Sequence, residues 1–373
     1  MTTPFERRTR LLQDRLADHE ADAVVCTASP NLYYFTGFWE SQMERHLLCF
    51  VGASSDPVVV APELYGTQLT EETWLEDVRT YGDTDDPVAL IEEVASDLGI
   101  GDGHLLVDPT MWARFTQDLR AALPTASFGL AEDVVASLRN TKDDAELAAI
   151  RTASEITDGV VETLRARGNS IVGTTETALA NTIERELLDA GGSDLAFDVI
   201  VGSGPNGAKP HHTHGDREIQ AGDPVVLDFG TRVDRYPSDQ TRTLVFGGSP
   251  PTGFDAAFET VRNAQQAAFE AVEPGVEAGE IDEVARSLVE DRGYGEEFIH
   301  RTGHGVGLDV HEAPYIVGGN DQVLEPGMVF SIEPGVYIEG EYGIRIEDLV
   351  VVTENGAERL NHTSRDYRPT TQP

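Results

Sequence analysis

PVVLDFGTRVDRYPSDQTRTLVF, running from Pro224 to Phe246, holds two apolar runs, each with an aspartate at its inner end. Asp228 follows Val225-Val226-Leu227, and Asp239 precedes the run Thr241–Phe246. The polar stretch Arg232–Arg235 between them predicts a turn, and hence an antiparallel hairpin. A turn centred between Val233 and Asp234 sets Asp228 directly opposite Asp239. Carboxylates facing each other on such a pair have Cβ atoms about 4.5–5.5 Å apart and repel. The repulsion is relieved when a cation lies between them or when one is protonated. Two solvated aspartates on an exposed sheet face are the plainer alternative, and the apolar flanks argue against it.

A similar arrangement lies nearer the C-terminus. Glu333 follows Val329-Phe330-Ser331-Ile332, Glu347 lies in Gly343-Ile344-Arg345-Ile346-Glu347, and the two are symmetric about Gly340. The Pro334-Gly335 step interrupts this run, and a salt-bridged surface hairpin is the competing reading. Six of the ten histidines, His211, His212, His214, His300, His304 and His311, fall in one 101-residue span. His304 sits in Gly303-His304-Gly305-Val306-Gly307, where small neighbours permit close approach of a ligand or of backbone. Two aspartates, two glutamates and one imidazole form an oxygen-rich set that suits Mn²⁺, Co²⁺, Fe²⁺ or Zn²⁺. Their charge suffices for two divalent ions, which roughly 3.5–4 Å apart lower the pKa of a shared water to about 7.

The 373 residues suggest two domains or one large one. In the first 130 or so, a helix is expected over residues 6–19, and short apolar runs at Ala23–Cys26, Leu47–Val51, Val58–Ala61 and Leu105–Val107 form an α/β pattern. From Thr141 the pattern becomes α+β. Helices are expected over Ala145–Ala166, around Leu179–Leu187, over Phe254–Val272 and over Ile281–Leu288. Strands are expected at Phe197–Val201, Pro224–Phe229, Thr241–Phe246, Met328–Ile332 and Leu349–Val352.

The chain carries 66 acidic residues against 27 basic ones, for a formal net charge of -39. Such an anionic surface argues against nucleic acid or anionic membrane as partner. Lys142 and Lys209 are its only lysines, a balance resembling that of proteins adapted to concentrated salt. Cys26 and Cys49 are too few for a disulfide scaffold and read as buried thiols in a reducing compartment. Arg7-Arg8 is followed by polar sequence with no apolar core, so no export signal is expected, and no membrane span either. The expected location is cytoplasmic.

LDFGTRVDRYPSDQTRT (Leu227–Thr243), RTGHGVGLDVHEAP (Arg301–Pro314), SIEPG (Ser331–Gly335) and GIRIEDLV (Gly343–Val350) together resemble the pita-bread metallopeptidases. That family holds Xaa-Pro aminopeptidases, Xaa-Pro dipeptidases (prolidases) and methionine aminopeptidases. The resemblance implies Asp228, Asp239, His304, Glu333 and Glu347 as ligands of two divalent ions, most often Mn²⁺ or Co²⁺, with Zn²⁺ or Fe²⁺ as alternatives. Asp228 would chelate one ion, His304 and Glu333 the other, and Asp239 and Glu347 would bridge. VGSGPNGAKPHH (Val201–His212) resembles the segment carrying a substrate-binding histidine, which places that role on His211. His311 and Arg345 match two further active-site residues of the proline-specific branch, and Glu333 would shuttle a proton. His300 is a weaker candidate beside them. Gln240 departs from the family, which commonly has an aliphatic residue there.

LRNTKDDAELAAIRTAS (Leu138–Ser154) resembles the entry helix of the catalytic domain, and NLYYFTGF (Asn31–Phe38) resembles the creatinase-type N-terminal domain. The implied plan is an N-terminal α/β domain over 1–132 and an α+β pita-bread catalytic domain over 133–373. The implied activity is hydrolysis of the bond between an N-terminal residue and proline in a small peptide, by a homodimer. The same fold also serves enzymes of small non-peptide substrates, such as creatinase-like and ectoine hydrolases. A noncatalytic peptide-binding module is the third reading, and the complete ligand set argues against it.

Overall fold

In the computed structural model, which describes residues 3–369, the chain divides into two compact units between Arg139 and Asn140. Each follows from local signals. In the first unit, Thr3 caps the helix Pro4–Leu16 by accepting the Glu6 N–H, and proline occupies its first turn. Ser29 caps Pro30–Thr36 in the same way, and Gly37 ends it in the left-handed conformation at φ 87°.

Six strands form one mixed sheet: β1 (Ala23–Thr27), β2 (Leu48–Gly52), β3 (Val58–Pro62), β4 (Asp77–Tyr81), β5 (His104–Val107) and β6 (Ser127–Leu130). Their order is β4-β3-β2-β1-β5-β6, with the pairs β1–β2 and β2–β3 antiparallel and the pairs β3–β4, β1–β5 and β5–β6 parallel. Val25, Phe50, Val60, Leu105 and Phe115 lie in its buried core, each worth about 1.5–3 kcal/mol of burial. Cys26 and Cys49 are neighbours on β1 and β2, both buried and both free thiols. β4 and β6 do not show as apolar runs, because edge strands carry polar residues such as Asp77, Arg79 and Ser127. The helix Glu132–Arg139 belongs to this first unit: Arg139 Nη1 donates to Asn31 Oδ1 at 2.7 Å, and Tyr34 OH donates to the Leu138 carbonyl.

The second unit opens with the helix Asp144–Arg167, whose start is fixed by a capping box between Asp143 and Glu146. Further helices span Glu176–Asp189, Phe254–Glu270 and Ala278–Asp291. Its strands are β7 (Asp194–Leu195), β8 (Ile200–Ser203), β9 (Pro224–Phe229), β10 (Thr231–Val233), β11 (Tyr236–Pro237), β12 (Gln240–Val245), β13 (Gly303–Gly305), β14 (Glu312–Ile316), β15 (Val329–Ile332), β16 (Gly335–Ile338), β17 (Tyr342–Arg345), β18 (Asp348–Thr353) and β19 (Gly356–Arg359). All pair antiparallel, in sheets ordered β12-β9-β8, β11-β10-β7, β14-β13-β15-β18-β19 and β16-β17. The strand expected at Phe197–Val201 begins at Ile200 instead, and Phe197 and Asp198 before it line a cavity described below. Apolar residues of the helices pack on these sheets in two clusters, one around Phe254, Phe258 and Phe330, the other around Leu164, Ile183 and Phe229. None of the described helices is long and apolar enough to cross a membrane.

Candidate active site

The β9–β12 hairpin is built as expected but turns one residue later. Asp234 and Arg235 both have positive φ, 48° and 74°, and close a two-residue turn between β10 and β11. That hand of turn suits the twist of the flanking strands. It shifts the register so that Asp228 faces Thr241, not Asp239. The two aspartates are therefore diagonal neighbours on one face of the pair, farther apart than the direct opposition first expected. Both are buried, with 7% and 4% of their surface exposed, which removes the solvated alternative.

The second carboxylate pair keeps its symmetry about Gly340. Ile332 pairs with Asp348 on one side, and Gly335 pairs with Arg345 on the other. Glu333 and Glu347 lie in the gap between these ladders, so their backbone groups turn elsewhere. Glu333 N–H donates to the Thr302 carbonyl at 2.8 Å, and Glu347 N–H donates to the Thr241 carbonyl at 3.1 Å. The break at Pro334 thus lets two glutamates tie three sheets to one another.

His304 lies on β13, where a Cβ at Gly303 or Gly305 would collide with the carbonyl oxygen of Ser331 or Ala313. Its ring Nδ1 lies 3.2 Å from the Gly305 carbonyl, which can only accept, so Nδ1 carries a proton and Nε2 faces the carboxylates. Nε2 is 3.3 Å from Glu333 Oε1 and 3.7 Å from Asp239 Oδ2. Donor atoms of Asp239, His304 and Glu347 all lie within 4.8 Å of one another. Asp228 Oδ2 accepts from Arg345 Nη2 at 2.6 Å, and Glu347 Oε2 accepts from Thr241 Oγ1 at 2.6 Å. The other oxygen of each, Asp228 Oδ1 and Glu347 Oε1, is buried without a hydrogen-bond partner among the described residues. Leaving such acceptors unmade is costly, and cations supply the missing partner. The residues present therefore fit divalent metal.

Electrostatics point the same way. Burial, together with the charges of Glu347, Asp228 and Glu333, pushes the Asp239 carboxyl well above the usual range. Burial and the neighbouring Glu333 and Asp228 do the same to Glu347, and burial raises Asp228 against the pull of Arg345. Burial would also raise Glu333, but the His304 hydrogen bond and the nearby His304, His300 and Arg345 charges hold it below the usual range. His311 is brought down to about 4 by burial and by His304, 4.0 Å away ring to ring, so its imidazole is neutral at pH 7.

A cavity of about 630 Å³ is lined by Asp228, Asp239, His304, Glu333, Glu347, His211, His311 and Arg345, with His300 and Arg301 on its wall. Every candidate residue from the sequence reaches this one space. His212 and His214 turn away, to Glu176 and Thr177. Gln240 occupies the opposite strand face from Asp239 and bonds Asp158 and Thr363, so it does not touch the carboxylates. Three supporting residues were not anticipated. Thr241 holds both Glu347 and the Arg345 Nε. Tyr337 OH accepts from Arg345 Nη1 at 2.8 Å and lies 3.0 Å from His300 Nε2. Arg242 donates to the Glu347 carbonyl at 2.6 Å. Alternation along β12 could have flagged Thr241; nothing local marks Tyr337.

This fold, with carboxylates and an imidazole converging in a cavity, is that of a metal-dependent hydrolase, and the chain belongs to metallopeptidase family M24. A profile of that family matches residues 148–354, and one of the creatinase/prolidase N-terminal domain matches residues 8–141. The chain is 40% identical over 362 residues to a probable dipeptidase PepE of Mycobacterium tuberculosis, covering 96% of this chain and 94% of that protein. It is 37% identical over 361 residues to an Xaa-Pro dipeptidase of Lactobacillus delbrueckii subsp. lactis, with 96% and 97% covered. Among solved structures, a prolidase from Thermococcus sibiricus superposes with a TM-score of 0.93 at 35% identity, covering 98% of this chain and 99% of that one.

Proposed function

We propose that the chain is an Xaa-Pro peptidase, releasing the N-terminal residue from a small peptide whose second residue is proline. The observation that carries this is the convergence of Asp239, His304 and Glu347 donor atoms within 4.8 Å, beside the unpartnered oxygens of Asp228 and Glu347, inside a peptide-sized cavity. Relatives named Xaa-Pro dipeptidase and prolidase support the substrate class. Asp228, Asp239, His304, Glu333 and Glu347 are the proposed ligands of two divalent ions. Four carboxylates and one imidazole suit Mn²⁺ or Co²⁺ first, and Zn²⁺ or Fe²⁺ as alternatives. When bound, such ions would lower the pKa of water and polarise the scissile carbonyl.

The chain's own groups do the remainder. Glu333 takes the proton from the attacking water and passes it to the proline nitrogen as the bond breaks. His211 and His311 donate hydrogen bonds to the carbonyl oxygen as it gains charge, and the neutral state of His311 leaves it a proton to share. Arg345, held by Tyr337 and Thr241, keeps Asp228 turned toward the cluster. The homodimer belongs to the proposal through the family resemblance, and light scattering would read it.

The test is a panel of Xaa-Pro dipeptide, Xaa-Pro tripeptide and ectoine on one metal-verified preparation. Turnover of an Xaa-Pro substrate is expected. Turnover of ectoine alone would move the chain to the non-peptide branch, and no turnover with metal bound would defeat the peptidase reading.

A further inference from the structure

Of the chain's two lysines, Lys209 is exposed and Lys142 is buried, with 1% of its side chain exposed. Lys142 Nζ donates to Glu312 Oε1 at 2.9 Å and to the Asn140 carbonyl at 3.1 Å. Its backbone is held as well. Thr141 bridges to Met328, and Lys142 N–H donates to the Gly327 carbonyl at 3.0 Å, just before β15, the strand that leads to Glu333. Glu312 opens β14 and pairs with Gly305, the residue after His304. Its carboxylate packs against Gly307, where a Cβ would collide with it. Within the second unit, this one buried ion pair therefore joins the strand that follows His311 to the strand that precedes Glu333.

His311 has little else to hold it. It lines the cavity and is exposed, and among the described residues its ring has no hydrogen-bond partner; its ring contact is with His304, at 4.0 Å. Side chains alternate along a strand, so with Glu312 turned to Lys142 the preceding His311 turns the opposite way, to the cavity. Apolar residues of the same volume often serve stability as well as a buried ion pair does, so the use of charges here fits a demand for fixed register. We propose that Lys142 is a positioning residue: through Glu312 it fixes the start of β14, and so holds His311 where the scissile carbonyl oxygen gains charge. This rests on the peptidase reading above and adds a residue outside the cavity to the same reaction. Lys142 touches no substrate. The hydrogen bond it serves strengthens as charge develops, so losing Lys142 acts on the chemical step rather than on substrate binding.

The experiment measures kcat and KM for an Xaa-Pro dipeptide with metal-loaded wild type, Lys142→Met, His311→Ala and Lys142→Met/His311→Ala, with bound metal assayed in each. A displacement of about 1 Å costs up to about a hundredfold, so Lys142→Met should lower kcat roughly tenfold to a hundredfold, leave KM within about twofold and keep the wild-type metal content. In the His311→Ala background the same substitution should change kcat by less than about twofold, because the group it positions is gone. Unchanged kcat in Lys142→Met, a loss confined to KM, an equal kcat loss in both backgrounds, or loss of metal would overturn the inference and leave the peptidase reading standing. Should Lys142→Met not fold, Lys142→Met/Glu312→Gln buries no lone charge and carries the same comparison. A wild type silent on every Xaa-Pro substrate with metal bound would overturn both.

Discussion

Asp348 follows Glu347 at the start of β18 and anchors a buried cluster of arginines. It accepts from Arg242 Nη2 at 2.6 Å, Arg359 Nη1 at 3.0 Å, Arg365 Nε at 2.6 Å and Gln265 Nε2 at 3.0 Å. Burial pushes its carboxyl up, and Arg242, Arg365 and Arg359 together hold it below the usual carboxylate range. Burial and the neighbouring guanidiniums bring Arg359 down to about 10 despite Asp348, so one carboxylate is already shared among three cations. Asp348→Asn keeps the shape and removes the charge. Breaking a buried ion pair from one side costs about 3–5 kcal/mol. Arg359 and Arg365 have side chains 12% and 22% exposed and can turn toward water, so the cost concentrates on Arg242, which is 2% exposed. The loss should therefore stay in that range rather than multiply by three. For a domain of this size it corresponds to roughly 2–4 °C per kcal/mol, a fall of about 6–20 °C in Tm. Urea unfolding should show a lower midpoint at unchanged slope. Arg242 also donates to the Glu347 carbonyl, so metal retention should weaken in the same variant. A stability change below about 1 kcal/mol would refute the reasoning that these arginines depend on Asp348.

Glu176 is fully buried and accepts from Ser203 N–H at 2.8 Å, Ser203 Oγ at 2.6 Å, Asn206 and His212, pinning the segment that carries His211. Burial raises its carboxyl, but these hydrogen bonds outweigh it and hold the group below its ordinary value. Its stabilisation is present above the unfolded value of about 4.3 and is lost as pH falls through the lower folded one. Glu176→Gln should cost about 1–3 kcal/mol at pH 7 and flatten that part of the acid-unfolding curve; an unchanged curve would contradict this. Tyr337→Phe removes the hydroxyl shared by Arg345 and His300, and should lower kcat/KM about tenfold, with unchanged kinetics speaking against a positioning role. The -39 charge predicts a higher urea midpoint in molar KCl than in dilute buffer, and equal midpoints would detach the acidity from salt adaptation.

Much of the site was legible because its acids sit where carboxylates are costly. Asp228 and Glu333 each follow an apolar run, and a glycine flanks His304 on either side, so residue type and setting agreed. The register of the β9–β12 hairpin was not legible to one residue. Its turn uses Asp234 and Arg235 at positive φ, and arginine gives no signal for that conformation. Glu333 and Glu347 were placed symmetrically, yet the interruption between their ladders depends on partners as remote as Thr302 and Thr241. Tyr337, Arg242 and Asp348 act by supporting other residues, a role that distance in space decides and local pattern does not carry. The polar edge strands β4 and β6 escaped notice because alternation and apolarity, the signals for buried strands, are weak at a sheet edge.

Binding of divalent metal by five residues in one buried cavity is the central requirement of the proposed activity. Elemental analysis of dialysed wild type and Asp239→Asn, each first loaded with Mn²⁺, tests that most directly. Two ions per wild-type chain are expected, with marked loss in the variant, because a bridging carboxylate serves both positions. Equal metal content in the two proteins, or none in the wild type, would contradict the assignment.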